Sequence, residues 1–130
     1  MKEGDFILEL YKLLSDIIQP ICECYVIRFP TTETKVYPFV EIKFPTTIPN
    51  NSFSDNNLLE VDIWNNKDTD IRDIEGITDL IHKALNRLHY IDAVMQVSIN
   101  RNTPHRLELP DPILNIQRRQ LRYSCTVYKI

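Results

Sequence analysis

The sequence predicts an α+β domain of order helix–three strands–helix–two strands, its helices packed on a mainly antiparallel sheet. Two observations carry that expectation. Apolar residues recur at spacings of three and four in two stretches, and they alternate with polar residues in five others. The scale follows from length: 130 residues with no internal repeat, low-complexity tract or linker make residues 1–130 one domain around one core.

The first helical stretch is DFILELYKLLSDIIQPI, where Phe6, Leu10, Leu13, Leu14, Ile17 and Ile18 form a single apolar stripe. Pro20 ends it, because proline disfavours helix in the residue before it. In CECYVIRFP the period changes to two: Tyr25, Ile27 and Phe29 alternate with Cys24, Val26 and Arg28 up to Pro30. After the polar TTETK comes VYPFVEIKFP, with Val40, Ile42 and Phe44 on one side, so the two runs are expected to pair as an antiparallel hairpin. Pro38 confines the start of the second run to an edge or a bulge.

TTIPNNSFSDNN has no period and is read as an exposed loop over residues 45–57. LLEVDIW is the third strand, Leu59, Val61 and Ile63 inward and Glu60, Asp62 and Trp64 outward. Thr69 or Asp70 caps the second helix, whose first turns hold Asp70, Asp73 and Glu75, where the helix dipole favours negative charge. Its buried stripe is Ile74, Ile77, Ile81, Ala84, Leu85 and Leu88. AVMQVSI is a strand with Met95, Val97 and Ile99 on one face. RNTPHRLELPDPI reads as a second long loop, over residues 101–112, and RRQLRYSCTVYKI as the last strand, with Leu121, Tyr123, Cys125 and Val127 on one face.

Composition excludes several functions. The two glycines, Gly4 and Gly76, cannot assemble a phosphate-binding loop or a dinucleotide fingerprint. No apolar run approaches the roughly 20 residues of a membrane helix, and no leader pattern opens the sequence, so no membrane partner or secretory route is expected. Cys22, Cys24 and Cys125 have no regular spacing, and His82, His89 and His105 are scattered; buried thiols are expected, with neither disulfide framework nor metal. No cofactor is expected.

The sequence offers three chemical readings. Glu60 and Asp62 share a strand face, as an acid pair or cation site requires, but no third ligand or base is spaced to join them. Glu41 and Lys43 resemble half of a metal-dependent nuclease signature, in which acids hold magnesium and a lysine polarises the attacking water. The aspartate that signature needs on the preceding strand is missing. Specific nucleic-acid binding is not expected: the isoelectric point is about 5.6 and adjacent Arg118 and Arg119 point to opposite faces of a strand.

Interface features remain. Residues 101–130 carry six cations against two acids, a net charge of +4, whereas the first hundred residues carry −7. Outward aromatic and arginine side chains are what protein interfaces enrich. The expected contact residues are therefore Glu60, Asp62, Trp64, Arg101, Arg106, Arg118, Arg119 and Arg122, with no catalytic residue. Trp64→Ala, or charge reversal at Glu60 and Asp62, is expected to weaken assembly and leave the fold intact.

An amphipathic opening helix (FILELYKLLSDII), a VYPFVEIKF strand, the passage LLEVDIWNNKD into the helix DIEGITDLIHKALNRL, and a long final strand RRQLRYSCTVYKI follow one another. In element order and size this chain resembles the tail terminator, tail completion and head–tail joining proteins of tailed bacteriophages and phage-tail-like particles, from about Phe6 to Tyr128. The resemblance implies a non-enzymatic virion protein assembled in the bacterial host cytoplasm. It implies a hexameric ring of identical copies at the end of the tail tube. That ring would stop tube polymerisation and meet the head connector or collar, or the sheath of a contractile tail, and DNA could pass through it. A nuclease using Glu41 and Lys43, and a monomeric adaptor binding one partner through Trp64, remain as alternatives.

Overall fold

The computed structural model describes residues 3–26, 37–49, 54–66, 72–93, 95–109 and 116–129. Its elements are α1 (Glu3–Ile18), β1 (Cys24–Val26), β2 (Phe39–Pro49), β3 (Ser54–Asn65), α2 (Arg72–Leu85), β4 (His89–Ile91), β5 (Met95–Leu109) and β6 (Gln117–Lys129). The strands form one sheet of order β1-β2-β3-β6-β5-β4. The architecture is mostly β, a mixed six-stranded sheet with two helices. It corrects the α+β expectation of helix–three strands–helix–two strands.

Four local differences produce that change. β1 pairs parallel with β2, Cys24 opposite Val40 and Val26 opposite Ile42, and not as an antiparallel hairpin. The chain from Ile27 to Pro38 supplies the dozen or so residues that a parallel crossover needs. The span expected to be a loop at 45–57 is strand wherever it is described: β2 runs on to Pro49 and β3 begins at Ser54. There Thr47 Oγ1 donates to Asn57 Oδ1 across the two strands at 2.6 Å. The second expected loop is likewise strand as far as Leu109, with an irregularity between Arg101 and Arg106. Finally, β4 is a short extra strand antiparallel to β5. Ile27, Phe29, the TTETK segment and the expected caps Thr69 and Asp70 lie outside the described residues, as does the side chain of Phe6.

The helices cover one face of the sheet. Leu10, Leu14 and Ile18 from α1 and Ile74, Ile81 and Leu85 from α2 are buried against Val40, Ile42, Leu59, Val61, Ile63, Val97, Ile99, Leu121, Tyr123 and Cys125. Both apolar stripes read from the sequence therefore meet the inward residues of the strands. Thr78 joins the α2 face, its hydroxyl donating to the Ile74 carbonyl at 2.6 Å, so a polar side chain is buried without an unpaired donor. Between Lys43 and Thr46 the β2–β3 register shifts, and there the Phe44 amide donates to the Tyr11 hydroxyl of α1 at 3.0 Å. An amide freed by the irregularity is thus used to dock a helix. α2 ends through Arg87, which takes φ 61 where most helices place glycine.

Candidate functional site

The other sheet face is the one on which the sequence places its candidate contacts, and the register shows how they meet. Phe39, Trp64, Arg118 and Leu109 share one rung; Glu41, Asp62, Gln120 and Leu107 the rung two residues on. Lys43, Glu60 and Arg122 form the next one on that face. Phe39 stacks on Trp64 with ring centroids 5.2 Å apart, and the Arg118 guanidinium lies 4.8 Å from the Trp64 ring. A delocalised cation over an indole face is held by the ring quadrupole.

Asp62 does not point outward into water. It is 0% exposed. Oδ1 accepts from Arg118 Nη2 at 3.0 Å and from Gln120 Nε2 at 2.9 Å, and Oδ2 lies 3.3 Å from Lys43 Nζ. Arg122 Nε donates to Gln120 Oε1 at 2.9 Å and lies 3.7 Å from Glu60. The expected contact residues Glu60, Asp62, Trp64, Arg118 and Arg122 are thus brought together, but as a cross-strand network within the chain, in which Asp62 Oδ2 has the Lys43 ion pair and no hydrogen bond, and the buried Arg118 Nε has no hydrogen bond. Charge reversal at Asp62 would put a cation between Lys43 and Arg118, and so damages the fold as well as any surface.

The remaining expected residues lie elsewhere. Arg119 is buried on the helix face, Nε donating to Glu75 of α2 at 2.6 Å. Arg106 joins it, forked between Glu75 and Asp79. Both arginines fasten α2 to the sheet. Arg101 is exposed beside a cluster that sequence reasoning missed: His82, His105 and Tyr123. The His82 and His105 rings lie 4.6 Å apart, and Tyr123 OH is 2.9 Å from His82 Nδ1. Burial holds the Tyr123 phenol above its ordinary range, so its hydroxyl stays protonated and shares a hydrogen bond with His82 Nδ1. His105 Nδ1 donates to the Arg122 carbonyl at 3.2 Å. Burial, then His105, Arg101 and Arg106, push the His82 pKa down, against Asp79. No periodicity links positions 41 residues apart, so only the fold reveals this cluster.

The nuclease half-motif gains an aspartate from the fold, since Asp62 faces Glu41 across β2 and β3. That carboxylate is already engaged by Lys43, Arg118 and Gln120, and a metal would have to displace two cations to reach it. Among the described residues no group of three or more His, Cys, Asp or Glu side chains is placed to hold a metal. Cys22 and Cys125 are buried, and burial raises the thiol pKa of Cys22 and Cys24 to about 11 and that of Cys125 to about 12. No protein-family model and no curated protein matches this chain. No described helix is long and apolar enough to cross a membrane.

Proposed function

We propose that the chain is a structural subunit of a bacteriophage tail or of a headless phage-tail-like particle. Identical copies form a ring, six by the resemblance, that caps the tail tube, ends its polymerisation and offers a surface to the head connector, collar or sheath. The reading assigns no catalytic role, and the charged face of the sheet serves to hold strands and to meet neighbours. One observation carries it beyond the resemblance: the sheet is open, and its long strand β5 has no partner on its outer side from Asn100 to Leu109 among the described residues. A strand edge of that length is a template for pairing with another chain. A heterologous contact between copies, repeated by rotation, closes a ring.

The test is electron microscopy of purified tail tubes mixed with the chain. Rings at one tube end, and tubes of abnormal length when the protein is withheld during assembly, support the reading. Tubes of normal length with no bound chain overturn it.

A further inference from the structure

The two outer edges of the sheet are notched, and the notches complement one another. At the β2 edge, β1 covers only Val40 to Ile42 and leaves the later part of β2 uncovered among the described residues. At the β5 edge, β4 covers only Gln96 to Ser98 and leaves the later part of β5 uncovered. Following the ladder across the sheet puts Cys24, Tyr25 and Val26 of β1 on the rungs of Glu108, Leu107 and Arg106 of β5. His89 and Tyr90 of β4 fall on the rungs of Ile48 and Pro49 of β2 by the same route. Each strand that protrudes on one edge stands level with a recess on the other.

We propose, building on the ring reading above, that β1 of one copy enters the recess beside Arg106–Glu108 of the next copy. The direction is fixed by the sheet. β1 runs parallel to β2, and three antiparallel steps through β3 and β6 reverse the chain at β5, so the new pair is antiparallel. Three observations single out a second copy as occupant. The first is the match of rungs. The second is charge: residues 3–26, which hold α1 and β1, carry five acids and one lysine. The recess strand offers the exposed Arg101 to them, Arg106, Arg118 and Arg119 being held within the chain by Glu75, Asp79 and Asp62. The third is apolar exposure on the protruding strands, where Val26 is 42% and Ile91 68% exposed. Protected edges ordinarily carry lysine or proline at such positions. At the other end of the junction β4 lies beside Pro49, which has no N–H to give, so that end contributes packing by Ile91 and not a ladder.

Val26 and Glu108 then face the same side two rungs apart across the junction, roughly 7–8 Å, within reach of a short bismaleimide. The full-length variant V26C/E108C, treated with that reagent, is expected to give a covalent ladder of multimers ending at the ring. All are made in a C24S background, because native Cys24 lies on the rung of Glu108; there each single variant and the chain carrying neither cysteine should lack the ladder. Both positions are surface ones, and circular dichroism checks that the fold is kept. Rings seen by size-exclusion chromatography without the ladder would overturn the β1–β5 junction and leave the ring reading standing. A chain that stays monomeric at high concentration would overturn the junction too, since the edges need nothing else to meet. Caps on tail tubes would then judge the function separately.

Discussion

Replacing Asp62 by alanine tests the central claim about the outer sheet face. The carboxylate is 0% exposed and holds Arg118 Nη2 at 3.0 Å, Gln120 Nε2 at 2.9 Å and Lys43 Nζ at 3.3 Å. Removing one partner of a fully buried ion pair costs about 3–5 kcal/mol, because the other charge is stranded. Here the cations are only partly buried, with 26% of the Arg118 and 35% of the Lys43 side chain exposed, so both can recover water. Discounted for that solvation, the loss for Asp62→Ala falls to about 2–3 kcal/mol. Asp62→Asn should cost nearly as much, since it keeps an acceptor for Gln120 but presents an amide to two cations. By contrast, the triple variant K43M/D62L/R118M removes all three charges together and should return to within about 1 kcal/mol of the parent. Glu60→Ala loses a single 3.7 Å contact to Arg122 and should cost under about 1 kcal/mol. Urea unfolding followed by the fluorescence of Trp64, the sole tryptophan, reads all four variants. If Asp62→Ala lay within about 0.5 kcal/mol of the parent at an unchanged denaturant slope, the carboxylate would be solvated and the network would have no structural role.

The other expectations concern the helix face. His82 binds a proton less readily folded than unfolded, so the unfolded chain takes up more protons as pH falls through 6.5, and stability drops with it. The drop levels off below the folded pKa. Melting temperatures across that range should show it, and His82→Gln, which keeps an acceptor for Tyr123, should flatten it; an equally steep profile in the variant would refute the assignment. Because all three thiols have raised pKa values, a disulfide reagent at mildly alkaline pH should label them slowly in the native chain and rapidly in urea. Arg87→Gly relieves a left-handed backbone and should stabilise by about 0.5–1 kcal/mol in chemical denaturation. Leu14→Ala, at a fully buried site under the sheet, should cost about 2–5 kcal/mol in the same assay.

Where a periodic pattern met a buried surface, the sequence read true: Leu10, Leu13, Leu14, Ile17 and Ile18 of α1, Ile74, Ile77, Ile81, Leu85 and Leu88 in and just after α2, and the inward residues of β3, β5 and β6 pack in the core. It failed where pairing and not burial decides the structure. Asn56 and Asn57 have little intrinsic taste for strand, yet the ladder to β6, and for Asn57 the bond from Thr47, hold them there. The parallel setting of β1 was illegible for a related reason, since a polar connection looks the same whether the chain reverses or crosses over.

The charged face was half legible. Arg118, Gln120 and Arg122 alternate on β6 as Glu60, Asp62 and Trp64 do on β3, and the two triplets are complementary in charge and in aromatic–cation character. Their partnership depends on register, fixed by apolar contacts on the opposite face: Val61 must meet Leu121 for Asp62 to meet Gln120. A one-residue slip would expose the apolar set and strand the carboxylate at once. The same register carries the rungs of β1 across to those of β5, so the core that buries Asp62 also sets the level of the edge offered to a neighbouring copy. Variants that loosen the Asp62 network are therefore expected to weaken assembly through misaligned rungs, even though Asp62 itself touches no partner.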